Sequence, residues 1–442
     1  MNHGLGLFDR HDGETGDVDP AALRAALDAD PARADDRERA RPPVGPPAEH
    51  PQERAARMRR RRRRSTLVAL TVLVALVAGL AVGFTIWRKS VTTIPDYVGA
   101  GAQWTVVRVQ SGDTLDSIAA TLTDAGVVAS DEAFTATAAQ DADVKALRPG
   151  YYKVRVGASA AEAANTLVDP ANRVGALRLI PGRQLADVAT SADGVANGSV
   201  PGYVTQIAEA ACVPLDEAGT DRSACFSADD LWAAAETTDP AQLGVVEWAV
   251  DAVRAAPDPR KRLEGMILPG DYNVPPNQSA VDTLKSVVTA SAASWYTSDV
   301  VARSASTGLT PYQVAVAASL VEREGITADM PKVARVIDNR LAVDMRLQFD
   351  STVNYALDRA QIATSSADRD TAGPYNTYLN TGLPPTPISS PGPDAIAATL
   401  APAQGPWMYF VKIDQTGASC FSVTLPEHEA CIEQARANGV FG

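Results

Sequence analysis

The sequence predicts an α+β protein that a single apolar helix near the N-terminus anchors in a membrane. Three observations support this fold class. A stretch from Thr66 to Trp87 contains no charged residue. Beyond it, short segments rich in β-branched residues alternate with segments of helical spacing. The composition, 45% hydrophobic and 21% charged over 442 residues, is ordinary for globular protein. We therefore expect a small folded part at 104–190 and a larger one at 191–442.

The apolar stretch predicts a transmembrane helix at 65–88, between a disordered cytoplasmic tail (1–64) and a linker (89–103). The tail is rich in Asp, Arg, Ala and Pro and nearly free of aromatics. An uncharged stretch of this length spans a hydrocarbon core of about 30 Å. Arg59–Arg64 precede it, so the positive-inside rule predicts a cytoplasmic N-terminus. A cleaved signal peptide would have a shorter n-region and apolar core, and a buried helix of a soluble protein is the other alternative.

The charge and the cysteine content restrict the function classes. The formal net charge is −13, which argues against nucleic acid as a partner because phosphate binding needs a basic surface. The cysteines form two close pairs, Cys212 with Cys225 and Cys420 with Cys431. Export would favour a disulfide within each pair, and other connectivities or free buried thiols are the alternatives. His428 is the one histidine outside the tail and CxxC spacing is absent, so we expect no metal and no cofactor.

The small part is predicted from strand–turn–helix units. WTVVRVQ alternates like a strand, SGDT supplies a turn with helix-capping residues, and LDSIAATLTDAGVV has apolar residues at helical spacing. GYYKVRVG and SAAEAANTLVD predict a second strand and a second helix. ALRLIPGRQLADVATSA is expected to repeat the strand–turn–helix order once more.

The larger part is predicted to be mostly helical. Alanine-rich helix covers about 191–262, an irregular segment follows at Leu263–Pro276, and helix then resumes. Thr310 as N-cap and Pro311 at the first helical position start a helix that we expect to end at Gly325. The chain continues with a second helix (MPKVARVIDNRLAVD), a polar loop, a Pro/Gly-rich segment, a strand (WMYFVKI) and a last helix.

Any chemistry must use carboxylates, hydroxyls and amides. A single histidine beyond the tail argues against a Ser-His-Asp or Cys-His site, and the sequence has neither a P-loop nor a GxGxxG motif. In the helix VAVAASLVEREG, Glu322 and Glu324 point to nearly opposite sides at about 100° per residue. Glu324 shares a face with Ala317, Leu320 and Val321, so we expect burial to raise its pKa, as a general acid requires. A surface glutamate at a helix end is the alternative.

Two polar clusters after this helix are candidate sugar-binding segments. Amides and hydroxyls hydrogen-bond to sugar hydroxyls and rings stack on sugar faces, although caps and turns use the same residue types. The residues assigned to substrate binding are Asn339, Arg340, Gln348, Asp350, Thr352, Tyr355, Tyr375, Asn376 and Thr377.

The order of these segments resembles the endolytic murein transglycosylase (YceG-like) family. The resemblance is carried by LEGMILPGDYNVPP, ASLVEREG, VIDNRLAVDMRLQFDSTVNYAL, PYNTYLNTGLPPTPISSPG, and YFV followed by FSVTLPEH. It is collinear over about residues 104–442, and VRVQSGDTLDSIA is similar to the LysM-like subdomain that precedes the catalytic part in this family. The resemblance implies a LysM-like α+β subdomain at 104–190 and a mixed α/β catalytic domain with a glycan groove at 191–442.

The resemblance also implies an activity. Such enzymes cut the β-1,4 bond between N-acetylmuramic acid and N-acetylglucosamine inside peptidoglycan strands without using water, in cell-wall assembly or strand-length control. The muramic C6 hydroxyl closes onto C1 and leaves a 1,6-anhydro end. One glutamate acts first as acid and then as base, and the family's catalytic glutamate matches Glu324. Penicillin-binding proteins and other cell-wall synthesis proteins are then expected neighbours, with the catalytic region outside the plasma membrane.

The chain departs from the family pattern in places. The family often has Thr-Asp-Pro-Thr-Val where this chain has Phe-Asp-Ser-Thr-Val, so Asp350 and Thr352 match and Ser351 replaces a proline. The tail and the cysteine-bearing segment near 212–225 are outside the common pattern. Two alternatives stay open. One is a hydrolytic muramidase in which Asp350 or Glu322 helps a water, and the other is a non-catalytic LysM-like scaffold that binds glycan.

Overall fold

The computed structural model describes residues 68–87, 94–192, 195–358 and 364–440. The predicted tail, its arginine run, both ends of the predicted span and the start of the linker lie outside these ranges. The chain divides into two compact units, Met1–Thr92 and Thr93–Gly442.

In the first unit, helix α1 (Val68–Trp87) is a candidate membrane span. It has 20 residues and a mean hydropathy of 2.5. A helix of this length extends about 30 Å, which is the thickness of a hydrocarbon core. Within the described residues it is the one helix that is long and apolar enough to cross a membrane.

The second unit begins with a small antiparallel sheet covered by helices, the N-terminal subdomain (94–174). Its strand order is β1-β2-β3, and β1 pairs with β2 from Trp104↔Arg155 to Val109↔Gly150. Alternate residues of β2 are buried, as the sequence pattern predicts. The elements are β1 (Trp104–Val109), α2 (Leu115–Asp124), α3 (Asp131–Ala138), α4 (Ala142–Lys145), β2 (Gly150–Arg155), α5 (Ala160–Val168) and β3 (Arg173–Val174). The strands and helices predicted here are confirmed, and the likeness to LysM stays a prediction.

The predicted third strand–turn–helix unit is wrong in its helix. Its strand is present as β4 (Ala176–Leu179), but the next segment forms a hairpin of β5 (Val188–Ala192) and β6 (Val195–Val200). The sequence has an Asp-Gly dipeptide between these strands, which is a strong hairpin signal that outweighs the weak helical spacing.

At Gly175 the chain passes from one hydrophobic core to the next, and the predicted domain boundary at 190–191 stays a prediction. The core of the N-terminal subdomain extends to Leu167, and Leu179 already belongs to the next core. Strand β4 pairs with a strand that lies much later in the chain, between Gly270 and Asn273. Gly175 has φ +67°, and a Cβ there would stand 2.1 Å from the Val274 carbonyl oxygen, so this crossing requires glycine.

The C-terminal subdomain (176–440) is largely helical around the long helix α11. Its further elements are α6 (Tyr203–Ala211), α7 (Ala228–Thr237), α8 (Val250–Arg254), β7 (Gly270–Asn273), α9 (Ala280–Thr297), α10 (Val300–Ser304), α11 (Pro311–Glu324), α12 (Met330–Ala342), α13 (Asp350–Ala356), α14 (Ser366–Arg369), α15 (Pro393–Leu400), β8 (Tyr409–Lys412), β9 (Ser419–Ser422) and α16 (Leu425–Ala437).

Helix α11 is buried on every side and positions the candidate acid. Thr310 caps its N-terminus with Pro311 at the first helical position, and it ends before Gly325, as predicted. Every residue from Val314 to Val321 is buried, with some facing one hydrophobic core and some facing another. Such a helix is held from all directions, so the residues at its C-terminus have a fixed place.

Each cysteine pair forms a local disulfide, with S–S distances of 1.97 Å for Cys212–Cys225 and 2.00 Å for Cys420–Cys431. The first closes a loop that contacts the sheet of the N-terminal subdomain. Lys153 Nζ donates to the Pro214 carbonyl at 2.6 Å, and Arg155 pairs with Glu217 at 2.9 Å. The second links β9 to α16.

Candidate active site

Glu324 lies at the C-terminal end of α11, half-buried, with one oxygen engaged by the protein. The Ser351 hydroxyl donates to its Oε1 at 2.5 Å. Burial raises the pKa of the Glu324 carboxyl, and this rise is partly offset by the Ser351 hydrogen bond and the nearby cations Lys412 and Arg323. Across the described ranges, Oε2 accepts no hydrogen bond from the protein. A carboxyl with a raised pKa and one free oxygen has the properties of a general acid.

Glu322 has a different environment at the same helix end. Its Oε2 accepts a hydrogen bond from the Gly392 amide at 2.9 Å, at the N-cap of α15. Burial raises its pKa too. Because α11 is buried on all sides, the predicted contrast between an apolar and a polar face does not separate the two glutamates. Their hydrogen-bond partners do, since Glu322 joins α11 to α15.

Asp350 is engaged by internal contacts, chiefly through Oδ1. Its Oδ1 accepts the hydroxyl protons of Thr364 at 2.5 Å and Tyr378 at 2.7 Å, and it lies 3.3 Å from Arg369 Nε. Burial and these contacts with Asp350 hold the pKa of the Tyr378 hydroxyl well above its ordinary value. Asp350 also raises the pKa of Glu324 as a nearby like charge. The carboxylate therefore lies close to the acid but is already committed to Thr364, Tyr378 and Arg369.

Most residues assigned to substrate binding are buried and hydrogen-bonded inside the protein. These are Arg340, Thr352, Tyr355, Tyr375, Asn376 and Thr377. Asn339 and Arg340 bind carbonyls of the segment before β8, with Asn339 Nδ2 at 2.9 Å from the Trp407 oxygen and Arg340 Nε at 2.6 Å from the Met408 oxygen. Gln348 is exposed, with φ +55°. Contact of these residues with a glycan stays a prediction, and we expect the buried ones to shape the walls of a groove.

A cavity of 320 Å³ runs along α13 and links some of these residues. Its lining includes Val353 and Ala356 of α13, together with Tyr375, Asn376 and Lys261. Ser351 and Asp350 are at the other end of the same helix, and neither they nor Glu324 line this cavity. Asn339 and Arg340 are instead part of the support beneath β8.

Sequence reasoning missed several residues of this site. Lys412 ends β8 and is half-buried, Arg323 donates to the Gly182 carbonyl at 3.1 Å, and Arg369 ends the short helix α14. Lys412 carries a weak signal, because a lysine in a strand two residues after Phe410 lies on the same face as that ring. Phe410 packs on Phe349, directly before Asp350, at 5.7 Å between ring centroids.

A second buried carboxyl, Glu264, was also missed. It is 3% exposed, and both of its oxygens lie 3.2 Å from the Leu185 amide. The Tyr355 hydroxyl donates to Oε2 at 3.3 Å. Burial raises the pKa of Glu264 to about 8, against the effect of these hydrogen bonds and of Lys261. Its place in the irregular LEGMILPGDYNVPP segment gave no periodicity from which burial could be read.

Comparison with known proteins identifies the family of this chain. The sequence model of the YceG-like family matches residues 107–434. The chain belongs to the YceG-like family. Among the described residues, none of the His, Cys, Asp and Glu side chains form a group of three or more that could hold a metal ion.

Relatives within this family have named activities. The endolytic murein transglycosylase of Bacillus subtilis (strain 168) is 35% identical over 176 residues, which is 39% of this chain and 48% of the relative. The endolytic murein transglycosylase of Streptococcus pneumoniae serotype 2 (strain D39) is 31% identical over 179 residues, or 38% of this chain and 32% of the relative. The matches thus span about half and about a third of these relatives.

A solved structure is also similar. It is a YceG-like protein from Listeria monocytogenes, 24% identical, with a TM-score of 0.43 over 74% of this chain and 98% of that one.

Proposed function

We propose that this chain is a membrane-anchored endolytic lytic transglycosylase of peptidoglycan. It would cleave the β-1,4 bond between N-acetylmuramic acid and N-acetylglucosamine and leave 1,6-anhydro-muramic ends. Membership of the YceG-like family and the names of the relatives support this reaction class. The observation that carries it is the state of the three neighbouring carboxyls. Glu324 accepts the Ser351 hydroxyl on Oε1, keeps Oε2 free among the described residues, and lies beside the cations Lys412 and Arg323. Glu322 instead joins α11 to α15 through the Gly392 amide, and Asp350 accepts two hydroxyl protons.

One such carboxyl suffices for the reaction. Burial keeps Glu324 protonated at higher pH than an ordinary glutamate, so it can give its proton to the glycosidic oxygen as the C1–O4 bond breaks. The resulting carboxylate takes the proton of the C6 hydroxyl while O6 bonds to C1. Glu324 ends protonated again, the N-acetylglucosamine leaves with a free O4 hydroxyl, and no water enters the balance.

A hydrolytic muramidase is the first rival. It needs a second carboxylate, either as nucleophile or as the base that activates water. Asp350 and Glu322 are the nearby candidates, and each is already held in hydrogen bonds within the protein. Mass spectrometry of products from uncrosslinked glycan strands separates the two reactions. Anhydro ends from the full-length protein support our proposal, whereas reducing muramic ends overturn it.

A catalytically silent scaffold is the second rival. The Glu324→Gln variant decides this, because glutamine keeps the shape and the Ser351 contact but carries no transferable acid. Equal products from the variant and the parent would remove Glu324 as the catalyst.

The location and partners complete the proposal. Helix α1 would anchor the chain, with the arginine-rich N-terminal side in the cytoplasm. The catalytic subdomain would then meet glycan outside the plasma membrane, beside penicillin-binding proteins and other cell-wall synthesis proteins. A protease added outside spheroplasts should remove the C-terminal subdomain and spare a tag on the N-terminus.

A further inference from the structure

Ser351 makes the closest contact to the candidate acid, and the proposed function gives it no role. Its hydroxyl donates to Glu324 Oε1 at 2.5 Å. The inference below rests on the proposed function and deepens it at the same site.

The hydroxyl is held by a rigid support. Ser351 is the second residue of α13. Phe349 and Thr352, which flank it at the start of this helix, are both hydrogen-bonded to Thr377. The Phe349 amide donates to Thr377 Oγ1 at 2.9 Å, and the buried Thr352 hydroxyl lies 2.9 Å from the same oxygen. The Phe349–Phe410 ring contact fixes the turn from the side of β8. The Ser351 hydroxyl is thus presented to Glu324 by buried structure.

The contact with Ser351 gives the two oxygens of Glu324 different roles. An oxygen that accepts a hydroxyl proton at 2.5 Å has no room for the acidic proton on the same side. The acidic proton is then carried by Oε2, the oxygen that accepts no hydrogen bond from the residues the structure describes. Oε2 is therefore the oxygen that meets the glycan.

The same contact strengthens during proton transfer. A hydrogen bond to an ionised carboxylate is roughly twice as strong as one to a neutral group. Ser351 therefore stabilises Glu324 most in the state reached after it has given up its proton, and an interaction that grows along the reaction accelerates it.

We propose that Ser351 is a positioning residue, which holds Oε1 of Glu324 so that Oε2 delivers and recovers the proton. Lys412 and Arg323 favour the ionised state by charge alone. Ser351 differs from them because it also selects the oxygen.

The test compares Ser351→Ala with Ser351→Thr in the full-length protein. Alanine removes the hydroxyl, whereas threonine keeps it and should restore the parent's behaviour. Ser366→Ala is the matched control, because Ser366 also lies in the first turn of a short helix and its side chain makes no hydrogen bond among the described residues. The measured quantity is kcat/KM for release of anhydro ends from uncrosslinked glycan between pH 4 and 9.

Ser351→Ala should lower kcat/KM about 10-fold at the optimum, which corresponds to the loss of one charge-assisted hydrogen bond. It should also shift the alkaline limb of the pH profile of kcat/KM to higher pH by about half to one unit. The lost hydrogen bond favoured the carboxylate, so its removal raises the pKa of Glu324. A purely structural serine would lower the rate without moving the limb. An unmoved limb in Ser351→Ala, or a threonine variant that behaves like alanine, overturns the proposal.

A second readout separates this proposal from the proposed function. Carbon-13 NMR of glutamate side-chain carboxyls in detergent-solubilised protein identifies Glu324 by the signal that Glu324→Gln removes. The pH midpoint of this signal should rise in Ser351→Ala and stay unchanged in Ser366→Ala. If the parent releases reducing ends, the lytic reaction is wrong, and this titration still decides whether Ser351 acts on Glu324.

Discussion

Glu324 and Glu264 have raised pKa values for the same reason, burial, and yet their surroundings differ. Glu264 is enclosed, and its oxygens accept hydrogen bonds from the Leu185 amide and the Tyr355 hydroxyl. Glu324 is half-buried, with Oε1 on Ser351 and Oε2 open. A raised pKa therefore reports desolvation, which structural and catalytic groups share. What separates them is whether an oxygen remains free to meet a substrate.

Glu322 lies between these two cases. It is half-buried like Glu324, but its Oε2 joins two helices through the Gly392 amide. Glu264 has both oxygens engaged, whereas Glu322 and Glu324 each have one, so these two differ in their partners: a backbone amide between two helices for Glu322, and a side-chain hydroxyl for Glu324. Substitution at each position tests whether these partners separate structural carboxyls from the catalytic one.

The largest effect is expected from Glu324→Gln. Loss of a general acid typically costs about 10²- to 10⁴-fold in rate. The melting temperature should hardly change, because glutamine fits the same space and accepts the Ser351 hydroxyl proton. Product release by liquid chromatography with mass spectrometry and a thermal melt measure the two quantities. If Glu324→Gln retains a tenth or more of the parent's rate, Glu324 is not the general acid.

Glu264 should affect stability instead of chemistry. Glu264→Ala leaves the Leu185 amide without its acceptor and opens a cavity, so we expect a loss of about 2–4 kcal/mol in the free energy of unfolding. Glu264→Gln keeps an acceptor and should stay near the parent. Urea titration measures both variants. If the rate per folded molecule falls as far in Glu264→Ala as in Glu324→Gln, Glu264 takes part in the chemistry.

Glu264 also predicts a pH dependence of stability. Its pKa rises from an ordinary 4.5 to about 8 in the fold. The folded state therefore binds the proton more tightly, so this contribution is complete below pH 4.5 and is lost as the pH rises to about 8. The urea midpoint of the parent should fall between pH 5 and pH 8, and Glu264→Gln should flatten that decline. If the urea midpoint falls equally with pH in the parent and in Glu264→Gln, protonation of Glu264 does not cause the decline.

Lys412 should have a smaller effect, on the pH profile of activity. Its cation lowers the pKa of Glu324, so Lys412→Met should move the alkaline limb of kcat/KM up by about half a pH unit or less. Lys412→Arg keeps the charge and should restore the profile. Lys285→Met, on the exposed surface of α9, is the control. If the alkaline limb of kcat/KM is unchanged in Lys412→Met, the charge of Lys412 does not lower the pKa of Glu324.

The smallest effect is expected from Glu322→Gln. Glutamine still accepts the Gly392 amide, so the rate should stay within about threefold of the parent. Steady-state release of anhydro ends measures it. A loss of 100-fold or more would revive the muramidase in which Glu322 assists a water.

Local patterns were sufficient for much of the fold. Alternation in WTVVRVQ and GYYKVRVG predicted β1 and β2, and the Thr310 cap, Pro311 and Gly325 predicted both ends of α11. Each of these signals acts between residues that are close in the chain. The failure after β4 has the same origin, because helical spacing and an Asp-Gly hairpin signal competed within one short segment and pairing with β6 decided it.

By itself, the sequence determined the apolar N-terminal helix, the first two strand–helix units, and the candidate acid at the end of a capped helix. The tertiary structure alone decided how the surroundings of Glu324 differ from those of Glu322. The face argument chose Glu324, yet α11 is buried on every side and burial raises the pKa of both glutamates. Gly392, Ser351 and Lys412 make the distinction, and all three are distant in sequence. No periodicity within the helix encodes such partners, because only folding brings them to its end.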